Sequence, residues 1–154
     1  MTEEKRPKLM IATPMYGGMC TGMYVMGLLN TMTKMRELKV EVRWAHMTNE
    51  SLITRARNEL ARAFLASDCD YLMFIDADIG FDGDAIAHLM AVDDDIVCGI
   101  YPKKEVNWDG VKRAALAGKE DLEDHAGAFV FNMVGEAHVE TDERGAIEVR
   151  HGGT

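Results

Sequence analysis

Tyr71-Leu72-Met73-Phe74-Ile75-Asp76-Ala77-Asp78-Ile79-Gly80-Phe81 runs from an unbroken apolar stretch straight into two aspartates. Such a stretch is the pattern of a central strand in a parallel sheet, covered on both faces so that neither meets water. In open α/β sheets ligands bind at the carboxyl ends of the strands, which is where Asp76 and Asp78 fall. Residues two apart in extended chain project to the same side, and Ala77 between them adds no bulk. Carboxylates held so close repel unless a cation compensates. A divalent ion with oxygen ligands, Mn2+ or Mg2+, completed by water and substrate phosphates, meets that need. The plainer alternative is a turn capped by Asp76 beside a solvated Asp78.

Working outward, strands and helices alternate. Lys8 to Thr13 (KLMIAT) reads as the first strand, ended by Pro14, which cannot continue a central strand. A helix follows from about Thr21 to Leu38, with Val25, Leu28, Met32 and Met35 on one face. Val40 to His46 alternates as a second strand. Asn49 or Ser51 is placed to cap a helix from about Ser51 to Ser67, striped by Leu52, Ala56, Leu60, Ala63 and Phe64. Beyond the aspartates, Asp82 or Asp84 caps a short helix through Met90, and Ile96 to Tyr101 (IVCGIY) reads as another buried strand. The order β-α-β-α-β-α-β argues for a doubly wound α/β sheet. Residues 102–127 are polar and irregular and read as a long loop. Ala128 to Val134 and Ala137 to Arg150 read as antiparallel strands joined through a turn at Asp142 to Gly145. Residues 8–101 thus form the core of one domain over 1–154, and 102–154 a loop with an antiparallel pair.

Three further groups carry chemistry. Arg57 shares a helical stripe with Ile53, Leu60 and Phe64, so its guanidinium sits at the edge of a buried face. An unpaired buried charge is costly, so it needs an anion: either a carboxylate such as Asp76 or a ligand phosphate. Asn58 is placed to hydrogen-bond either partner. The loop Pro14-Met15-Tyr16-Gly17-Gly18 offers a wall for a nucleobase, with the Thr13 hydroxyl beside it, or is a plain surface turn. It is not a phosphate loop, since neither GxxxxGK[ST] nor GxGxxG occurs. Lys103, Lys104 and Trp108, after the last expected parallel strand, suit a diphosphate and a sugar ring, or are a solvated pair and a loop-packing indole.

Composition excludes several classes. The 154 residues suffice for a buried core. The net charge is −9 with no block of lysine and arginine, which argues against nucleic acid as a partner. No apolar run reaches the roughly 20 residues of a membrane helix, and MTEEKRPK lacks a signal peptide's apolar stretch. Cytoplasmic location is the expectation. Cys20, Cys69 and Cys98 have neither zinc nor disulfide spacing.

Taken in order, IATPMYGG, ITRARNELARAFL, CDYLMFIDADIGFDGDAI and DIVCGIYPKKEVNW resemble the nucleotide-sugar-binding half of GT-A glycosyltransferases, closest to the family-2-like group and its small viral and phage members. The resemblance covers roughly residues 8–108. It implies a GT-A-like (Rossmann-like), mostly parallel sheet flanked by helices. It implies a UDP- or GDP-linked sugar as substrate, with an acceptor glycan or protein, in the cytoplasm of a cell or of a virus- or phage-infected host. Position by position it implies that Thr13, Pro14 and Tyr16 hold the nucleoside and that Thr48, Asn49 and Glu50 contact base or ribose. Arg57 and Asn58 lie near the diphosphate, and Asp76-Ala77-Asp78 is the DxD motif whose carboxylates bind Mn2+ or Mg2+. Lys103 and Trp108 fall where sugar or acceptor contacts are expected.

The expected activity is transfer of a sugar from a nucleotide diphosphate to an acceptor hydroxyl. Enzymes of the family usually continue past this length with an acceptor region, so a truncated or minimal domain is expected. A non-catalytic nucleotide-sugar-binding module is the alternative. No acid in residues 109–154 has a motif that marks it as the catalytic base, and Glu120, Asp121, Glu123 and Asp124 read as a solvated run. An exposed sheet edge left by an incomplete domain is a site for self-association into a homo-oligomer.

Overall fold

The computed structural model of the chain describes residues 5–92, 94–129, 131–133, 141–147 and 149–152. The chain divides into two compact units, Met1–Met90 and Ala91–Thr154. The first is an α/β layer: a three-stranded parallel sheet flanked by helices, compatible with a Rossmann-like fold. Its elements are β1 (Lys8–Met15), α1 (Gly22–Glu37), β2 (Glu41–Thr48), α2 (Ile53–Leu65), β3 (Tyr71–Phe74) and α3 (Gly83–Val92). The strand order is β2-β1-β3, with Leu9 opposite both Val42 and Tyr71.

The central strand is therefore β1, and this corrects the expectation that Tyr71 to Ile75 is central. Seven of the eight β1 residues are buried, whereas β3 has a single strand neighbour among the described residues and leaves Tyr71 and Phe74 exposed. Both runs are apolar, and an apolar run alone does not say which strand has two neighbours. Strand β1 also passes through Pro14 to Met15, where the sequence reading ended it at Thr13. The carbonyls of Lys8 and Ala12 accept from Asp70 and Ile75, so even-numbered residues of β1 turn their backbone groups toward β3. Paired strand on that side ends at Ala12 opposite Phe74. The missing N–H of Pro14 therefore faces an edge and breaks no ladder.

Leu9, Ile11, Tyr24, Leu28, Met35, Ile75 and Ile86 form the core on one face of the sheet, beneath α1 and α3. Thr21 caps α1, its hydroxyl accepting from Tyr24 N–H at 3.2 Å. The buried face is Tyr24, Gly27, Leu28, Thr31 and Met35. Val25 and Met32, expected on that face, are exposed. Gly27 selects the face: a Cβ there would lie 2.7 Å from the Phe81 carbonyl, so only glycine lets the chain after β3 pass so close. On the other side of the sheet, α2 buries Ala56 and Leu60. Neither Asn49 nor Ser51 caps it. The cap residue is Leu52, without a side-chain bond, and Glu50 Oε1 accepts from Leu52 N–H at 3.0 Å instead. Asn49 has φ 61°, a left-handed conformation that ends β2 and spends the residue on the bend. Leu52 and Ala63 of the expected stripe are exposed. Asp82 caps α3 as expected, accepting from Asp84 N–H at 3.0 Å.

The second unit departs further from expectation. Ile96 to Tyr101 forms no strand, and Ile96 is 91% and Ile100 52% exposed. An apolar run records a tendency to burial, but a strand also needs a neighbour to bond with, and Gly99 weakens this one. The expected loop 102–127 contains helix α4 (Trp108–Leu116) and a single 3-10 turn at Leu122–His125. Asn107 caps α4 by accepting from Gly110 N–H at 2.9 Å. Strands β4 (Phe131–Met133) and β5 (Val149–Gly152) pair over a short stretch, Phe131 opposite Gly152. The longer hairpin expected across 128–150 is not shown, because residues 130, 134–140 and 148 lie outside the described residues. The turn at Asp142 is present: its carboxylate accepts from Arg144 and Ala146 N–H, each at 2.9 Å.

Candidate functional site

At the carboxyl end of the sheet, β1 and β3 deliver the residues singled out by the sequence. Strand β3 stops at Phe74, Ile75 is buried, and the chain turns immediately. Ile79 N–H donates to the Asp76 carbonyl at 3.1 Å, closing a four-residue turn over Asp76-Ala77-Asp78. The two aspartates are thus carried by a turn, where the sequence reading had extended chain. Thr21 N–H fastens that turn to the start of α1 by donating to the Ala77 carbonyl at 2.9 Å. Gly80, directly after it, lies against Met23.

Arg57 reaches this turn from α2. Its Nη2 donates to Asp76 Oδ1 at 3.1 Å, and its guanidinium carbon stands 6.0 Å from the Phe74 ring centroid. Of the two anions weighed for Arg57, a carboxylate is the one in contact. The pair is only partly sheltered, with side chains 34% and 40% exposed, so water screens much of its attraction. Arg57 Nε is buried and makes no hydrogen bond to a described protein group. Asn58, next along α2, is exposed.

The loop after β1 stands over the end of β2. Tyr16 is 71% exposed, and Gly17 and Gly18 both take left-handed φ, at 70° and 69°. A Cβ on Gly18 would lie 3.9 Å from Thr48. The loop, Thr48 and Asn49 therefore meet at the carboxyl edge of β1 and β2, as Arg57 and Asp76 do at that of β3. Pro14 is buried.

Thr13 does not line the surface. It is fully buried, sharing a hydrogen bond with the Tyr24 hydroxyl and accepting from Trp44 Nε1 at 3.1 Å. Burial pushes the Tyr24 phenol up from its ordinary pKa. A direct ligand contact by Thr13 is corrected accordingly: its hydroxyl anchors Trp44. Trp44 in turn stacks on His46, ring centroids 4.7 Å apart. The sequence reading missed this pair, although Trp44 and His46 stand two apart on an alternating strand and must share a face.

Lys103 and Trp108 belong to the second unit. The parallel strand expected to lead them to the edge of Asp76 does not form, which removes the premise for placing them there. Lys103 Nζ lies 3.4 Å from Glu105, and Trp108 is 72% exposed at the start of α4.

Family models, curated proteins and solved structures offer no match to this chain. Function must therefore be argued from the site. Among the described residues no helix is long and apolar enough to cross a membrane, and no three His, Cys, Asp or Glu side chains gather as a metal cage. Two carboxylates suffice for a hard divalent ion when water and phosphate oxygens supply the remaining ligands. Asp76 and Asp78 are both reachable from solvent.

Proposed function

We propose that the first unit binds a nucleotide-diphosphate sugar, UDP- or GDP-linked, through a divalent ion at Asp76 and Asp78, and that the chain is a metal-dependent glycosyltransferase of GT-A-like fold. The observation that carries the reading is the Arg57–Asp76 pair at the carboxyl end of a parallel sheet. A partly exposed guanidinium and carboxylates are brought together there, groups suited to a phosphorylated ligand and its cation.

In this reading Arg57 fixes the Asp76 carboxylate and faces the diphosphate, and the tethered turn holds Asp78 at the rim. Tyr16 and the paired glycines border the nucleoside, with Thr48 and Asn49 opposite. Bound Mn2+ or Mg2+ would supply Lewis-acid stabilisation of the charge that grows on the departing diphosphate. The sugar then passes to the hydroxyl of an acceptor glycan or protein.

Calorimetric titration of UDP, GDP and their glucose and mannose conjugates, with and without Mn2+, tests the proposal. Metal-dependent binding is expected, weakened at least about tenfold in Asp76→Ala and in Asp78→Ala while circular dichroism stays unchanged. Undiminished affinity in either variant counts against the site. Release of free sugar from the conjugate separates a transferase from a module that binds without turnover.

A further inference from the structure

The Asp76 carboxylate is claimed twice. Arg57 Nη2 donates to its Oδ1 at 3.1 Å, and a divalent ion at the donor site needs the same group. The bond is long for a charge-assisted one, which ordinarily spans about 2.7–2.9 Å. Both side chains are partly open to water, which screens their attraction further. A pair of this kind is readily exchanged.

The two partners differ in how far they can yield. The aspartate turn is fastened twice, by Ile79 N–H donating to the Asp76 carbonyl at 3.1 Å and by Thr21 N–H donating to the Ala77 carbonyl at 2.9 Å. Arg57 stands on a helix anchored through buried Ala56 and Leu60, but its own side chain is long and has several rotatable bonds. The Phe74 ring, 6.0 Å from the guanidinium carbon, offers the planar group a surface to move across without losing its cation–π contact. Rearrangement at Asp76 therefore falls to Arg57.

Charge decides when it happens. With a divalent ion on Asp76 and Asp78, the guanidinium faces two positive charges across the carboxylate, and like charges so placed repel. A guanidinium stays charged at any working pH, so Arg57 yields by leaving Asp76 and not by losing a proton. A sugar diphosphate without the ion is no better received, because the aspartates repel it. With both ligands present, the carboxylates turn to the ion and the released guanidinium donates to phosphate oxygens, for which its planar fork is suited.

We propose that, given the metal-dependent donor site read above, Arg57 stands in for the ion on Asp76 and gives way when ion and diphosphate arrive together. Arg57 thereby couples the two ligands, each raising the protein's affinity for the other by the same factor. The Arg57–Asp76 bond is a property of the ligand-free protein.

Titration of the full chain with Mn2+, followed by loss of the free ion's electron paramagnetic resonance signal, tests this with Mn2+ alone and with saturating UDP or GDP. The wild type is expected to bind Mn2+ weakly alone and at least about tenfold more tightly with nucleotide. Arg57→Gln is expected to bind Mn2+ alone at least about threefold more tightly than wild type and to lose most of the gain from nucleotide. An arginine that served only to support the fold would weaken both when removed. Arg57→Lys, which keeps the charge, is expected to leave metal-only binding near the wild-type value. Phe74→Leu unseats the guanidinium without removing a charge, and is expected to strengthen metal-only binding by a smaller factor than Arg57→Gln. It carries the test if Arg57→Gln does not fold, and wild-type metal binding in it then overturns the inference. Metal-only binding that is unchanged or weakened in folded Arg57→Gln overturns the inference and leaves the donor site standing. No Mn2+-dependent binding of either nucleotide by the wild type overturns the functional reading itself, and this inference with it.

Discussion

Thr13 shows how one hydroxyl can be worth more as an anchor than as a contact. It sits at the end of the most buried strand and satisfies two side chains at once, Tyr24 and Trp44. Replacing it by valine keeps the shape but strands a phenol and an indole N–H, of which the phenol is fully buried. Thr13→Val is expected to destabilise the fold by about 1–3 kcal/mol, read from the denaturant midpoint. The emission of Trp44, followed with Trp108 replaced by phenylalanine, should shift as its ring loses its tether. That the sequence placed Thr13 against a ligand follows from its position alone, since a strand end is where ligands gather. Its inward direction is fixed by Tyr24, eleven residues on, and no local pattern announces that bond. Arg57 was legible for the opposite reason. A cation on a buried stripe has few solutions, and a carboxylate at the end of the next strand was one of the two weighed.

At the scale of elements, spacing located the strands and helices of the first unit better than it located their faces. Helix α1 carries apolar residues in every direction, so its period is nearly silent about which side turns inward. The close approach of Phe81 to Gly27 decides it, and that is a tertiary fact. In a helix interior Gly→Ala ordinarily stabilises by about 1 kcal/mol. Here a methyl group 2.7 Å from a backbone carbonyl must move main chain, and overpacking costs about 1–3 kcal/mol. The clash is expected to win, so that Gly27→Ala lowers stability by about 1 kcal/mol or more and reduces the melting temperature. A rise in melting temperature would mean that the chain at Phe81 yields easily. Helix α4 was missed although its signal was present, with Asn107 at the cap and Asp109 in the first turn. The polar residues around it hid an amphipathic pattern only nine residues long.

For the molecule as a whole, the parallel α/β class of the first unit was readable because its alternation of strand and helix is set by apolar content. Strand neighbours were not, since partner choice depends on residues distant in sequence. One charged network ties those distant segments together at the amino edge of the sheet. Asp68, in the turn between α2 and β3, meets Lys8 of β1 and Arg43 of β2. Hydrogen bonds from Lys8 and then Arg43 hold its carboxyl at about 2, below the usual 3.8. A folded pKa below the unfolded value stabilises the protein above that unfolded value, and the contribution is lost as pH falls from about 4 through about 2. Asp68→Asn is therefore expected to melt below wild type at neutral pH, with the two curves converging by about pH 2. The gap should be small and shrink in salt, because the groups are exposed.

The central position of β1 also governs the order in which the fold can be completed. Of the described strands it leaves the ribosome first, yet one of its two neighbours begins beyond Asp70, which binds Lys8 across 62 residues. Pairing between such remote segments is slow, because a long loop must be closed before any contact rewards it. Until β3 is made, the apolar stretch from Leu9 to Ala12 has one ladder edge open and only β2 to close the other. The nascent chain is thus expected to stay prone to sticking to its neighbours until β3 has been made, and a chaperone that binds short apolar strands would find its target in β1.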